Sequence, residues 1–145
     1  MFFSPKGGAT EACVSAIAAT KTTISVQAYS FTSQPIAAAL VAAKKRGVTI
    51  AVLLDKSQKT ANYSEADFLA HAGVPTFIDA NHAIAHNKII VIDGAVVVTG
   101  SFNFTKAAES SNAENLLVIH DPKLASRYLA NWAEHRAHSE GYAGR

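Results

Sequence analysis

The stretch His86-Asn-Lys-Ile-Ile-Val-Ile-Asp-Gly94-Ala-Val-Val-Val-Thr-Gly-Ser101-Phe-Asn103 constrains the chain more than any other. Two apolar runs flank Asp93-Gly94, a pair that tolerates positive φ at both turn positions and so favours a two-residue hairpin. With those two residues as the turn, Ile92 opposes Ala95, Lys88 opposes Thr99 and His86 opposes Ser101. Side chains two apart on a strand share a face, and so do directly opposed residues. The hairpin is therefore expected to project His86, Lys88, Thr99, Ser101 and Asn103 from one face at its open end. Nothing in a hydrophobic core calls for an imidazole, an ammonium, two hydroxyls and an amide together.

These groups suit phosphate chemistry. A neutral imidazole is a competent nucleophile and leaving group toward phosphorus, and its pKa also lets it deliver a proton. Lys88 can hold a phosphate oxygen as a point charge, and Asn103 can donate amide hydrogens to the same anion without adding charge. Fixed donors aimed at phosphate oxygens are the main catalytic contribution open to such a site. Asp93 differs. As a turn residue it stands seven positions from His86, roughly 23 Å at the usual rise, so its expected role is to hold the turn and to pair with a base elsewhere.

The spacing His86-x-Lys88, four residues, Asp93, six residues, Gly100-Ser101-x-Asn103 resembles the His-Lys-Asp signature of the phospholipase D superfamily. It occurs once, in a short chain, which looks most like the small, chelator-resistant bacterial endonucleases of that superfamily. The resemblance implies a mixed β-sheet with helices on both faces, an α-β-α sandwich. It implies that Glu114, at the start of the strand after the motif, orients His86, and that Ser101 supports Asn103 or the phosphate. Gly94 and Gly100 are structural members of the motif alongside Asp93. It also implies export to the periplasm or medium, although Met1–Pro5 is too short to be a signal peptide.

One motif copy sets a stoichiometric condition. Cleavage needs a nucleophile on one side of phosphorus and an acid on the other, and one histidine on a rigid strand cannot serve both. A two-fold dimer would bring two copies of His86, Lys88 and Asn103 into one pocket. The expectation is a homodimer with a shared active site and a phosphohistidine intermediate. This chemistry calls for no cofactor and no metal. His82 and His86 precede or enter a strand rather than a helix and lack Cys or carboxylate partners, so no zinc site is assigned to them. His135 and His138 read as solvated helix surface, and His71 and His120 as ordinary helix-end and strand-end residues.

With 145 residues, the chain reads as one domain, 1–145, able to bury about 68–70% of its unfolded surface. The net charge of +2 permits a polyanionic partner without demanding one. Lys56, Lys59 and Lys106 fall in loops expected to flank the site, where they would contact nucleic-acid phosphates without reading bases. No apolar run approaches the ~20 residues of a membrane span, and no basic amphipathic helix suits a bilayer surface. The favoured substrate is therefore nucleic acid, DNA foremost with RNA left open, over phospholipid; a non-catalytic phosphate-binding module ranks last. The single Cys13 rules out an internal disulfide and reads as core.

Alternating patterns place the remaining elements. Helices are expected over Thr10–Ala19, from Pro35 to Gly47, from a Ser64–Asp67 capping box to His71, over Thr105–Ser111, and from Pro122 along the stripe Leu124, Tyr128, Leu129, Trp132. Strands are expected over Thr22–Phe31, with Ser25 and Gln27 on an unburied face, and over Val48–Leu54, Pro75–Asp79 and Glu114–Ile119. Gly141–Arg145 is expected to be loose.

Overall fold

Short apolar strands alternate with helices along the whole chain, which a computed structural model describes from residue 1 to 145. In order these are β1 (Phe2–Ser4), α1 (Ala9–Ala18), β2 (Thr23–Ala28), α2 (Gln34–Lys45), β3 (Thr49–Asp55), a 3-10 turn (Lys56–Lys59), α3 (Ala66–His71) and β4 (Thr76–Asp79). Then follow β5 (Lys88–Ile92), β6 (Val96–Gly100), α4 (Lys106–Ser110), β7 (Glu114–His120), α5 (Pro122–His138) and β8 (Glu140–Gly141). The strands form one mixed sheet in the order β1-β7-β6-β5-β2-β3-β4-β8. β2, β3 and β4 run parallel, as strand-helix-strand units require, and the remaining pairs are antiparallel.

The two faces of the sheet are unequally covered. On one side α1, α2 and α3 close a core of 26 buried residues that includes Ile17, Leu40, Val52, Ile90 and Phe104. On the other, α5 covers a cluster of only four, Ile89, Val91, Val97 and Ala125, with Leu124, Tyr128 and Leu129 at its margin. Apolar burial stabilises by about 1.5–3 kcal/mol per large side chain, so the α5 layer depends more on polar ties. One is the Trp132 indole N–H, which donates to the Val26 carbonyl at 2.9 Å. Gln27, expected on an unburied face, is 1% exposed on this side, and neither end of its amide has a partner. Alternation assigned the face correctly but could not show that α5 would cover it. Cys13 lies in the core, and burial pushes its thiol up to about 12.

The central hairpin differs from expectation by one residue. Asp93 and Gly94 both take positive φ, 54° and 62°, and the Ala95 N–H donates to the Ile92 carbonyl, which is the turn that Asp-Gly favours. The ladder, however, pairs Ile92 with Val96 and Ile89 with Thr99. Ala95 is left as an extra residue between turn and ladder, and its carbonyl, turned toward β7, accepts the Asp121 N–H at 2.9 Å at the entrance to α5. A slip of one residue turns every side chain of the partner strand over. Lys88 therefore shares its face with Ile90, while Thr99 shares the α5 face with Val97, and the expected single face is not formed.

Both ends of the chain are better fastened than the sequence suggests. Phe2–Ser4, too short to stand out, pairs with β7 through Phe2 and Leu116. Gly141 joins β8 against β4, and the Asp67 carboxylate accepts from the Tyr142 hydroxyl and from Arg145, whose Nε lies 3.2 Å away. Asp67 is thus not half of a capping box. The Ser64 hydroxyl instead accepts from the Ala66 N–H at 3.2 Å, and helix α3 begins there.

Candidate active site

The groups expected from the motif meet at the end of the sheet rather than on one face. A pocket of about 610 Å³ is lined by His86, Lys88, Thr99, Ser101, Asn103 and Glu114, together with Gly100 and Tyr128. β5 delivers Lys88 from one side of the sheet and β6 delivers Thr99 from the other. Beyond Gly100 the chain leaves the ladder, so Ser101 and Asn103 reach the same opening. Gly100 permits this: a Cβ there would stand 2.1 Å from the Asn115 carbonyl oxygen.

His86 is exposed and lies two residues before the start of β5. The loop carrying it is pinned from β3, because the buried Asp55 carboxylate accepts the Ala85 N–H at 2.7 Å and the Ser57 N–H at 3.0 Å. Burial alone would raise the Asp55 pKa, but these hydrogen bonds outweigh it and hold the carboxyl below its ordinary value. The His86 ring stands edge-on to Tyr29, with ring centroids 4.6 Å apart. The Lys88 ammonium lies 5.6 Å from the same Tyr29 centroid and donates to the His86 carbonyl at 2.6 Å. Burial pushes the Lys88 pKa down, and the negative charge of Glu114 opposes that shift.

Glu114 reaches the pocket but does not hold His86. Its carboxylate accepts the Ser101 hydroxyl proton at 2.8 Å, and that hydroxyl in turn accepts the Asn115 N–H at 3.1 Å. The expected orienting contact is thus replaced by a Glu114–Ser101 pair that fixes the mouth of β6 and β7. Asn103 lines the pocket, and its Oδ1 is buried without a partner. Thr99 is engaged with the Lys88 carbonyl at 3.0 Å.

Asp93 stands at the far end of the hairpin. Its carboxylate accepts the backbone N–H groups of Lys21, Thr22 and Thr23 and the Thr22 hydroxyl, so its partners are amides and not the expected base. Burial opposes ionisation, yet these donors lower its pKa to about 2. Lys56, Lys59 and Lys106 do not line the pocket. Lys56 donates to the His82 carbonyl at 2.9 Å, and Lys106 lines a separate groove with Tyr63 and Glu109. Tyr29 and Tyr128 were not foreseen as site residues, since each reads as an ordinary strand-end or helix-stripe aromatic. His82 does not pair with His86; it joins His135 and His138 around Asp79, so those two helix residues are not free surface.

An imidazole, a buried ammonium and a side-chain amide around one opening form a set suited to holding and cleaving a phosphate diester. A family model described as "Cardiolipin synthase, PLD-like domain" matches residues 13–136. A phospholipase D of Rickettsia bellii is 42% identical over 135 residues, covering 93% of this chain and 67% of that protein. The crystal structure of Nuc, a phospholipase D family member from Salmonella typhimurium, superposes with a TM-score of 0.93 at 44% identity, over 97% of this chain and 95% of that one. NucT from Helicobacter pylori shares the fold at a TM-score of 0.84 and 23% identity, over 92% and 91% of the two chains. The chain belongs to the phospholipase D superfamily, as a single-motif member and a phosphodiester hydrolase.

Proposed function

We propose that the protein is an endonuclease that cleaves DNA, and RNA as well, without a metal ion in the bond-breaking step, at a pocket completed by a second copy of the chain. One observation carries this reading: each chain supplies a single exposed His86 beside Lys88 and Asn103 in one pocket. Ile84, two residues before His86, is 52% exposed, and a two-fold interface around the pocket would cover it. In that dimer one His86 nitrogen attacks phosphorus, and the ester P–O bond breaks as the other His86 protonates the leaving oxygen. That second histidine then takes a proton from water, whose oxygen attacks phosphorus and releases the first. Lys88 and Asn103 hold the non-bridging oxygens throughout. A periplasmic or secreted setting belongs to the same proposal and rests on the family resemblance.

Phospholipid is the second reading, favoured by the names of the family model and of the Rickettsia relative. No helix is long and apolar enough to cross a membrane, and the pocket is lined mainly by polar groups, which favours the nucleic-acid reading. Plasmid DNA, single-stranded DNA, RNA and phosphatidylcholine vesicles, assayed side by side at 25 °C in excess chelator, separate the two. Nucleic-acid cleavage without lipid turnover is expected; lipid turnover alone would reverse the assignment. Mixed dimers carrying one His86→Asn subunit should retain under about a tenth of wild-type turnover, whereas half activity would show that each subunit works alone. Ile84→Glu should give a folded monomer without activity.

A further inference from the structure

Three imidazoles converge on one carboxylate at the edge of the sheet, away from the His86 pocket. Asp79 ends β4 and is 1% exposed. One of its oxygens lies 2.8 Å from His135 Nδ1 and 3.8 Å from His82 Nε2, and the other lies 3.1 Å from His138 Nε2. The four potential donor atoms all lie within 4.8 Å of one another. His135 and His138 are one turn apart on the last stretch of α5, and His82 follows Asp79 by three residues in the loop leading to His86.

Hydrogen bonding alone does not account for this number of imidazoles. Asp79 accepts the Asn81 N–H at 3.1 Å and stands within hydrogen-bond reach of His135 and His138, whereas the His82 nitrogen at 3.8 Å lies beyond it. Three nitrogens and one oxygen instead form the donor set of a tetrahedral zinc-class ion, which magnesium and calcium, with their oxygen preference, do not favour. Bonds of 2.0–2.2 Å at tetrahedral angles place neighbouring donors roughly 3.3–3.5 Å apart. The His135 and His82 separations from one Asp79 oxygen, 2.8 and 3.8 Å, straddle that value, and His138 stands 3.1 Å from the other oxygen. Bringing all three nitrogens around one oxygen falls to His82 and His138, whose side chains are 42% and 31% exposed and therefore free to turn.

We propose that Asp79, His82, His135 and His138 bind one divalent ion of the zinc class, which ties the loop before His86 to the end of α5. The ion stands apart from the phosphate pocket and takes no part in bond cleavage. It reinforces the thinly packed α5 layer and holds the loop that the Lys56–His82 and Asp55–Ala85 contacts also secure.

Untagged full-length protein, dialysed against chelator and then freed of it, is titrated with Co²⁺ and separately with Zn²⁺. One ion per chain is expected, with the intense visible absorption of tetrahedral Co²⁺, and Zn²⁺ at a hundredfold excess over Kd should raise Tm by about 5–10 °C. His138→Asn and His82→Asn, both at exposed side chains, should fold and lose the cobalt spectrum and the Tm rise, while His71→Asn and His120→Asn keep both. Absence of binding, a weak octahedral spectrum, or binding that survives His138→Asn and His82→Asn would overturn the site.

Discussion

The Tyr29 ring meets the His86 imidazole edge-on, with 62° between their planes, and the same ring faces the Lys88 ammonium. The bend that follows β2 thus supplies the wall against which both groups of the motif are set. Aromatic contacts of this kind contribute about 0.5–1.5 kcal/mol beyond their buried area. Tyr29→Ala should therefore lower kcat roughly threefold to tenfold with a smaller effect on KM, while Tyr29→Phe stays near wild type. Steady-state kinetics on one oligonucleotide substrate checks this. A loss shared by Tyr29→Phe would assign the role to the hydroxyl instead.

Lys88 provides a pH test. Burial lowers its pKa and Glu114 opposes the change, so activity that needs the ammonium persists below that pKa and falls as pH rises through it. Glu114→Gln removes the opposing charge, and the alkaline limb of the kcat/KM profile should move to lower pH. Ser101→Ala keeps the Glu114 charge and should leave that limb in place. Profiles measured in parallel for the three proteins decide the matter.

Asp93 should affect stability and not chemistry. Its folded pKa is about 2, below the unfolded value near 3.9, so its contribution is present above the unfolded pKa and lost as pH falls through about 4 to 2. Asp93→Ala removes the acceptor of three backbone amides and should cost about 1–3 kcal/mol at pH 7. The gap from wild type should narrow toward pH 2, while kcat of the folded protein is unchanged. Urea unfolding at a series of pH values measures both.

Gln27 runs the other way. Its amide is buried with neither end paired, and such a group carries an uncompensated desolvation cost. Gln27→Leu should add about 1–2 kcal/mol and raise Tm by about 3–6 °C. A drop in Tm on calorimetry would mean that an unseen partner satisfies the amide.

Much of the fold was legible because periodicity is local. Val48 to Leu54 reads as a buried strand, and Pro35 and Gly47 mark the ends of α2, from neighbouring residues alone. The motif likewise delivered His86, Lys88, Ser101 and Asn103 to one pocket. What sequence could not show depends on partners distant in the chain. Ala95 gives its carbonyl to the Asp121 N–H, α5 covers the face that carries Gln27, and Ser101 claims the Glu114 carboxylate. The Asp79 cluster is the sharpest case: His135 and His138 look solvated until α5 is laid beside β4. Their one-turn spacing, together with the three-residue spacing of Asp79 and His82, was the only available signal.

Ala95 carries a consequence out of proportion to its size. Excising it would leave a plain two-residue turn in which Ile92 still opposes Val96, so the β5–β6 ladder would keep its present register. What the extra residue supplies is the backbone carbonyl that takes the Asp121 N–H where the chain enters α5. A single methyl-bearing spacer thus couples the tip of the hairpin to the helix that roofs the second face of the sheet.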